Sequence, residues 1–403
     1  MKDNMLIKNP HAWFGEYPAS LQSMLNIENT ELAKRYLSHW SFMAEEMTPI
    51  WSMNHTAAHL NMGQLWIKDE SKRSKLDSFK ATGAPFALIR LIQKHFPHLH
   101  PSEILKGRYQ PLLQNFGVIT ATDGNHGRAL AAAAQSAGCP CTIVLHAHVS
   151  QEREDAIAKY GANIVRVSGN YDDSVRKAKQ LAESNHWTVV SDTSYPGYQS
   201  IPLDVMQGYA VLAMESIAQC PQPPTHVFLQ GGVGALAAGV ASYYWEKYGA
   251  HRPKLIVVEP QQADCLYQSA LHAKPMPATG SVDSFMAGLA CGETSTIAWE
   301  FMQNSIDYFG LITDDEAEAT VKQLALGSYG DVPIVAGESG VAGLALLNSF
   351  AAQDKLKAME IDQSSRVLII NTEGATAPSI YQHVTGMSPQ QVLDKQTEWL
   401  MAN

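Results

Sequence analysis

Ser78-Phe79-Lys80 puts an amine where it can act as a nucleophile or base. An ammonium is inert until it loses its proton, and an apolar neighbour such as Phe79 favours the neutral amine by desolvation. A lysine taken alone is more often a solvated charge, so Lys80 draws its interest from other segments. The nearby Lys68, Lys72, Arg73 and Lys75 read as surface charges. Gly231-Gly232-Val233-Gly234-Ala235 opens a stretch rich in small residues. Such a loop lets backbone N–H groups approach a phosphate, and the positive end of the following helix adds to the attraction. No Gly-Lys-Ser/Thr follows, and the spacing is not G-x-G-x-x-G, which disfavours nucleoside triphosphates and dinucleotides. The competing reading is a tight turn packed against a sheet. Thr122-Asp123-Gly124-Asn125-His126-Gly127 is the third segment. Asp123 places a carboxylate at the end of an apolar strand, where structure alone gives it little to do. Asn125 reads equally as a helix cap, and His126 as a helix-start residue.

Short apolar runs alternate with helical stretches, the pattern of an α/β fold with a largely parallel sheet. The expected strands are Leu65–Lys68, Val118–Ala121, Cys141–Leu145, Asn163–Val167, Thr188–Ser191, His226–Leu229, Leu255–Val258 and Val367–Asn371. The expected helices are Gly83–Lys94, His126–Ala137, Gln151–Tyr160, Asp172–Ser184, Tyr198–Ala218, Ala235–Tyr248 and Gln390–Met401. The runs are apolar throughout, without strict alternation, so both faces of the sheets should be covered. The Asp123, Gly231 and Asn371-Thr372-Glu373-Gly374 segments each follow a strand. Ligands of open α/β sheets sit at such junctions, and the well-separated Asp123 and Gly231 strand–loop–helix units suggest one ligand held between two subdomains. Glu338-Ser339-Gly340, before an Ala/Leu-rich helix, either lines that site or caps the helix.

The chain of 403 residues is 45% hydrophobic, with formal net charge −10. That balance speaks against nucleic-acid and anionic-membrane partners, which reward basic patches. No apolar run of about 18 residues predicts a membrane span, and the first residues lack a secretory leader pattern. The five cysteines, Cys139, Cys141, Cys220, Cys265 and Cys291, are an odd number, which fits a reducing cytosol. They read as packing residues, with a Cys265–Cys291 bridge left open. His55/His59 and His95/His98/His100 lack the carboxylates or thiols of a metal site, so no metal is expected.

Ser78-Phe79-Lys80, Gly124-Asn125-His126 and Gly231-Gly232-Val233-Gly234, in this order and spacing, resemble the fold-type II pyridoxal 5'-phosphate (PLP) enzymes of the tryptophan synthase β group. Within that group, further segments resemble the diaminopropionate ammonia-lyases: Lys68-Asp69-Glu70-Ser71, Ala121 through Arg128, Ser191-Asp192-Thr193, Gly197-Tyr198, Ile201-Pro202, Met206-Gln207-Gly208-Tyr209 and Asn371 through Thr376. The resemblance covers roughly residues 45–380. Arg73-Ser74-Lys75-Leu76, Thr82-Gly83-Ala84 and Ala129 depart from the family pattern.

The resemblance implies an α/β fold with two open, twisted, mostly parallel sheets and helices on both faces. It implies a large PLP-binding domain of residues 1–83 and 194–403, and a small domain of 84–193. Lys80 would carry PLP as the internal aldimine and Phe79 would flank it. Asn125 would bond the phenolic oxygen. Gly231, Gly232, Val233, Gly234 and Ala235 would cradle the phosphate, and Thr372 would face the pyridine nitrogen. A hydroxyl there weakens the ring as an electron sink and favours elimination. Lys80, Asp123 and Asp192 would be the catalytic residues, with the aspartates facing substrate amino groups. The expected activity is elimination of ammonia from 2,3-diaminopropionate, giving pyruvate and ammonia. The alternatives are a serine/threonine dehydratase, a β-replacement synthase of the cysteine synthase type, a PLP-binding regulator, and a nucleotide-binding module. A cytoplasmic homodimer acting on a small amino acid completes the expectation.

Overall fold

The computed structural model describes residues 5–122, 124–169 and 171–403, apart from the side chain of Asp172. Among the described residues the strands are β1 (Leu6–Lys8), β2 (Ile50–Ser52), β3 (Gln64–Asp69), β4 (Val118–Ala121), β5 (Cys141–Leu145), β6 (Asn163–Arg166), β7 (Thr188–Val189), β8 (His226–Gln230), β9 (Lys254–Pro260), β10 (Tyr308–Ile312) and β11 (Arg366–Asn371). They form a seven-stranded sheet in the order β1-β10-β9-β8-β11-β3-β2 and a four-stranded sheet in the order β6-β5-β4-β7. Every pair is parallel except the two edges, where β1 and β2 run antiparallel to their neighbours. The α/β fold with two mostly parallel sheets is therefore as the sequence implied.

The apolar strands have a direct physical use. Leu368 and Ile370 of β11 enter one core, while Val367 and Ile369 enter another. Val227 and Leu229 of β8 likewise oppose Phe228, and Leu255 and Val257 of β9 oppose Ile256 and Val258. Alternate side chains point to opposite faces, so a sheet covered by helices on both sides needs apolar residues at every position.

Three strands escaped the sequence reading. β1 and β2 have only three residues each and are half-buried edges. β10 is fully buried but carries Gly310 at its centre, which weakens a strand signal. A side chain at Gly310 would meet Leu346 Cδ2 at 2.4 Å, so the glycine lets the Ala342–Ala352 helix lie close. β7 stops at Val189, short of the expected Ser191, because the Ser191 N–H turns to the Tyr198 hydroxyl at 2.9 Å. The expected Tyr198–Ala218 helix is two helices, Ser200–Tyr209 and Val211–Gln219, meeting at Ala210. The helix after Phe79 starts at Lys80, three residues before the expected Gly83.

Lys68 and Arg73 are not surface charges. Both are buried. Lys68 Nζ donates to Glu215 at 3.0 Å, to the Thr48 carbonyl at 2.8 Å and to Gln219 at 2.7 Å. Arg73 bonds Glu70 and Glu215 at 2.7 Å each. Two cations meet two carboxylates, which is the condition under which charges survive burial. None of the five cysteines is in a disulfide, so Cys265 and Cys291 are not bridged. Cys265 Sγ lies 3.5 Å from the Gly232 carbonyl, and burial pushes its thiol well above the ordinary range.

Candidate active site

A cavity of about 470 Å³ opens where the strand–loop–helix junctions converge. The segment before Lys80 is stitched to the loop after β11. Phe79 N–H donates to the Thr372 carbonyl at 3.0 Å, Gly374 N–H donates to the Asp77 carbonyl at 2.8 Å, and Ser78 bridges to Glu373. Lys80 therefore begins its helix beside Thr372, and both line the cavity. The helix itself is held by close packing on the Ser200–Tyr209 helix. A side chain at Gly208 would come within 2.1 Å of the Thr82 carbonyl oxygen.

Lys80 Nζ donates to Asp192 Oδ2 at 2.6 Å, from 112 residues away in sequence. The rings of Phe79 and Tyr209 flank it, centred 5.2 and 5.4 Å from the nitrogen. Burial alone would lower the Lys80 pKa, but the Asp192 charge outweighs it and holds the ammonium well above its usual range. Burial likewise opposes the Asp192 charge, and the Lys80 charge overcomes it, holding that carboxyl below the usual carboxylate range. Asp192 is placed by a tyrosine clamp. Tyr198 accepts from the Ser191 N–H and donates to the Val189 carbonyl, both at 2.9 Å.

His126 is more than a helix-start residue. Its Nε2 contacts the Val190 carbonyl at 2.8 Å, and a carbonyl only accepts, so that nitrogen carries the proton. Its Nδ1 lies 3.7 Å from Asp192 Oδ2. Burial, with the Lys80 charge assisting against Asp192, lowers its pKa and keeps the ring neutral.

The glycine loop ends β8 and starts the Ala235–Tyr248 helix. Gly232 and Gly234 have φ of 62° and 99°, a region that L side chains rarely adopt. Gly231, Gly232, Val233 and Ala235 line the cavity at the amino end of that helix. Asn125 and Thr372 also line it. Asn125 does not cap its helix; its amide nitrogen donates to Glu373 Oε2. The Lys80 amine, the glycine loop at a helix start, the Asn125 amide and the Thr372 hydroxyl line one cavity, a set of groups that fits PLP and would hold it there. Asp123 lies outside the described residues. Its neighbours Thr122 and Gly124 line the cavity.

Other cavity residues were not assigned a role from sequence. Glu338 and Ser339 line the site, which decides between the two readings of that segment. Arg153 donates to Glu338 Oε1 at 2.7 Å. Burial and the Glu373 charge push the Glu338 carboxyl up to about 7, against the pull of Arg153. Glu373 follows Thr372 directly, yet nothing in its own position marked it. Arg153 carried no signal at all in its charge-rich helix. Among the described residues, no group of three His, Cys, Asp or Glu is arranged to hold a metal, and no helix is long and apolar enough to cross a membrane.

A half-buried lysine amine lining one cavity with a glycine loop at a helix start, at the ends of parallel strands, is an arrangement that suits PLP-binding α/β enzymes. The family model described as pyridoxal-phosphate dependent enzyme matches residues 42–373, and the chain belongs to that family. It is similar to the diaminopropionate ammonia-lyase of Salmonella typhimurium, 36% identical over 353 residues, which are 84% of this chain and 87% of that one. Its fold is similar to the crystal structure of holo diaminopropionate ammonia lyase from Escherichia coli. The TM-score is 0.85 at 33% identity, covering 94% of this chain and 96% of that one. The same E. coli protein in complex with D-serine gives a TM-score of 0.84, with the same identity and coverage.

Proposed function

We propose that the chain eliminates ammonia from 2,3-diaminopropionate. One substrate and one water yield pyruvate and two molecules of ammonia. Bound PLP supplies the aldehyde that condenses with amines and the electron sink that acidifies the Cα–H bond. The observation that carries this reading is the 2.6 Å pair of Lys80 and Asp192. A lysine held as ammonium is a poor nucleophile, so the carboxylate hinders Lys80 unless it has another cation to serve. Once Lys80 is engaged with the cofactor, Asp192 is free to hold a substrate ammonium. An amine leaves only when protonated, and an anionic oxygen bonded to that ammonium keeps it so. Lys80 takes the Cα proton when its amine is released. Asp123 is proposed as a second base, which would let both enantiomers react.

The similarity to diaminopropionate ammonia-lyases supports this reading over a serine/threonine dehydratase, whose hydroxyl leaving group gives Asp192 no cation to hold. We further assign residues 84–193 as a small domain that closes the cavity against residues 1–83 and 194–403. The test is pyruvate release from L- and D-2,3-diaminopropionate, L-serine and L-threonine. The diamino acid should turn over fastest. Lys80→Ala should lose both the visible cofactor band and all turnover, and Asp123→Asn should lose more activity on the D-isomer. No pyruvate from either diaminopropionate isomer ends the substrate assignment.

A further inference from the structure

Glu373 is 3% exposed and sits at the junction of three segments of the cavity wall. Its Oε1 accepts from the Ser339 N–H at 3.1 Å. Its Oε2 accepts from the Thr376 hydroxyl at 3.2 Å and from the Asn125 side-chain amide, 248 residues distant. The Glu373 oxygens accept all three of these bonds, so the Asn125 amide presents its nitrogen to them. Which end of the Asn125 side chain is nitrogen is thereby fixed. One N–H is committed to Glu373, and Asn125 lines the cavity.

We infer that Glu373 is a positioning residue that acts through Asn125, locking its amide so that the remaining N–H donates into the cavity, toward the phenolic oxygen of PLP. This rests on the reading of Lys80 and Asn125 as cofactor holders. The chemistry of the three donors makes the lock sensitive to one atom. In Glu373→Gln, the Ser339 N–H cannot reverse, so the new amide oxygen must stay with it. The new NH2 then faces Asn125, which has to turn its own oxygen toward it. The cavity loses a donor although the size of the side chain is unchanged. A donor to the phenolic oxygen favours its anionic form, so losing it moves the cofactor's visible absorption titration to higher pH. Removing the Glu373 charge acts in the opposite direction, by easing the approach of another negative charge.

The two effects separate in a double-mutant cycle on the PLP-loaded protein, read as the midpoint of visible absorption against pH. With Asn125 present, Glu373→Gln removes both the charge and the lock. In the Asn125→Ala background it removes the charge alone. The midpoint shift caused by Glu373→Gln should be more positive by about one pH unit when Asn125 is present. Glu373→Asp keeps the charge but shortens the reach, and should move the midpoint upward only when Asn125 is present. Equal shifts with and without Asn125, for either substitution, overturn the inference. A visible band that persists in Lys80→Ala would instead overturn the cofactor reading itself, so the two failures are distinguishable.

Discussion

Asp192 holds the Lys80 ammonium, whereas the proposed reaction needs the neutral amine. That opposition has a measurable consequence. Asp192→Asn removes the anion that raises the Lys80 pKa, so Lys80 should react with PLP at lower pH than in the parent protein. Reconstitution rate against pH, followed by visible absorption, reads that change. Turnover should move the other way. With no carboxylate to keep the departing amine protonated, kcat/KM for diaminopropionate should fall by about 10²-fold or more, on the scale of general acid–base catalysis. The loss on L-serine should be smaller, and equal losses on both would remove Asp192 from leaving-group recognition.

Among the elements, Lys80 is held by what lies behind its segment. β3 and the turn after it carry Lys68, Glu70 and Arg73, and the Val211–Gln219 helix brings Glu215 between the two cations. The network anchors residues 68–73, which lead directly to Ser78-Phe79-Lys80. Glu215→Ala leaves Lys68 and Arg73 short of an anion and should cost about 3–5 kcal/mol in urea unfolding, the range for breaking a buried pair. Burial opposes the Glu215 charge, but Arg73 and then Lys68 hold its carboxyl down at about 2. Its contribution to stability is thus complete above the ordinary carboxylate pKa and is lost as pH falls through about 2. The Glu215→Ala defect should therefore shrink at strongly acid pH. The sequence carried the four charges but not their partnership. A lysine within a strand gives no sign of facing a glutamate 147 positions later.

Across the whole molecule, the cavity depends on how the two sheets face each other. Arg153, on the Gln151–Ala158 helix that follows β5, reaches Glu338 beside the seven-stranded sheet. Glu152 adds hydrogen bonds to the Ser379 N–H at 3.2 Å and its hydroxyl at 2.6 Å. Arg153→Ala removes the stronger of these ties. Glu338, with its carboxyl at about 7, contributes stability that is present below the ordinary carboxylate pKa and lost as pH rises through about 7. Without the guanidinium, ionising Glu338 becomes costlier still. The Arg153→Ala defect should be about 1–3 kcal/mol at pH 8 and smaller at pH 5, by urea unfolding at both. An equal defect at the two pH values would mean that the pair does not couple the two halves.

The strand–loop–helix units and the glycine turn after β8 were legible in the sequence because their causes are local. A buried parallel strand must be apolar at every position, and a chain turning through positive φ at Gly232 and Gly234 must use glycine. Asn125 and Thr372 were placed by resemblance in ordered motifs. The tertiary structure alone decided that Asp192 meets Lys80, that Glu373 orients Asn125, and that Arg153 spans to Glu338. These are pairings between segments far apart in the chain. Their geometry is set by sheet order and helix packing, and neither leaves a mark on the residues that end up touching.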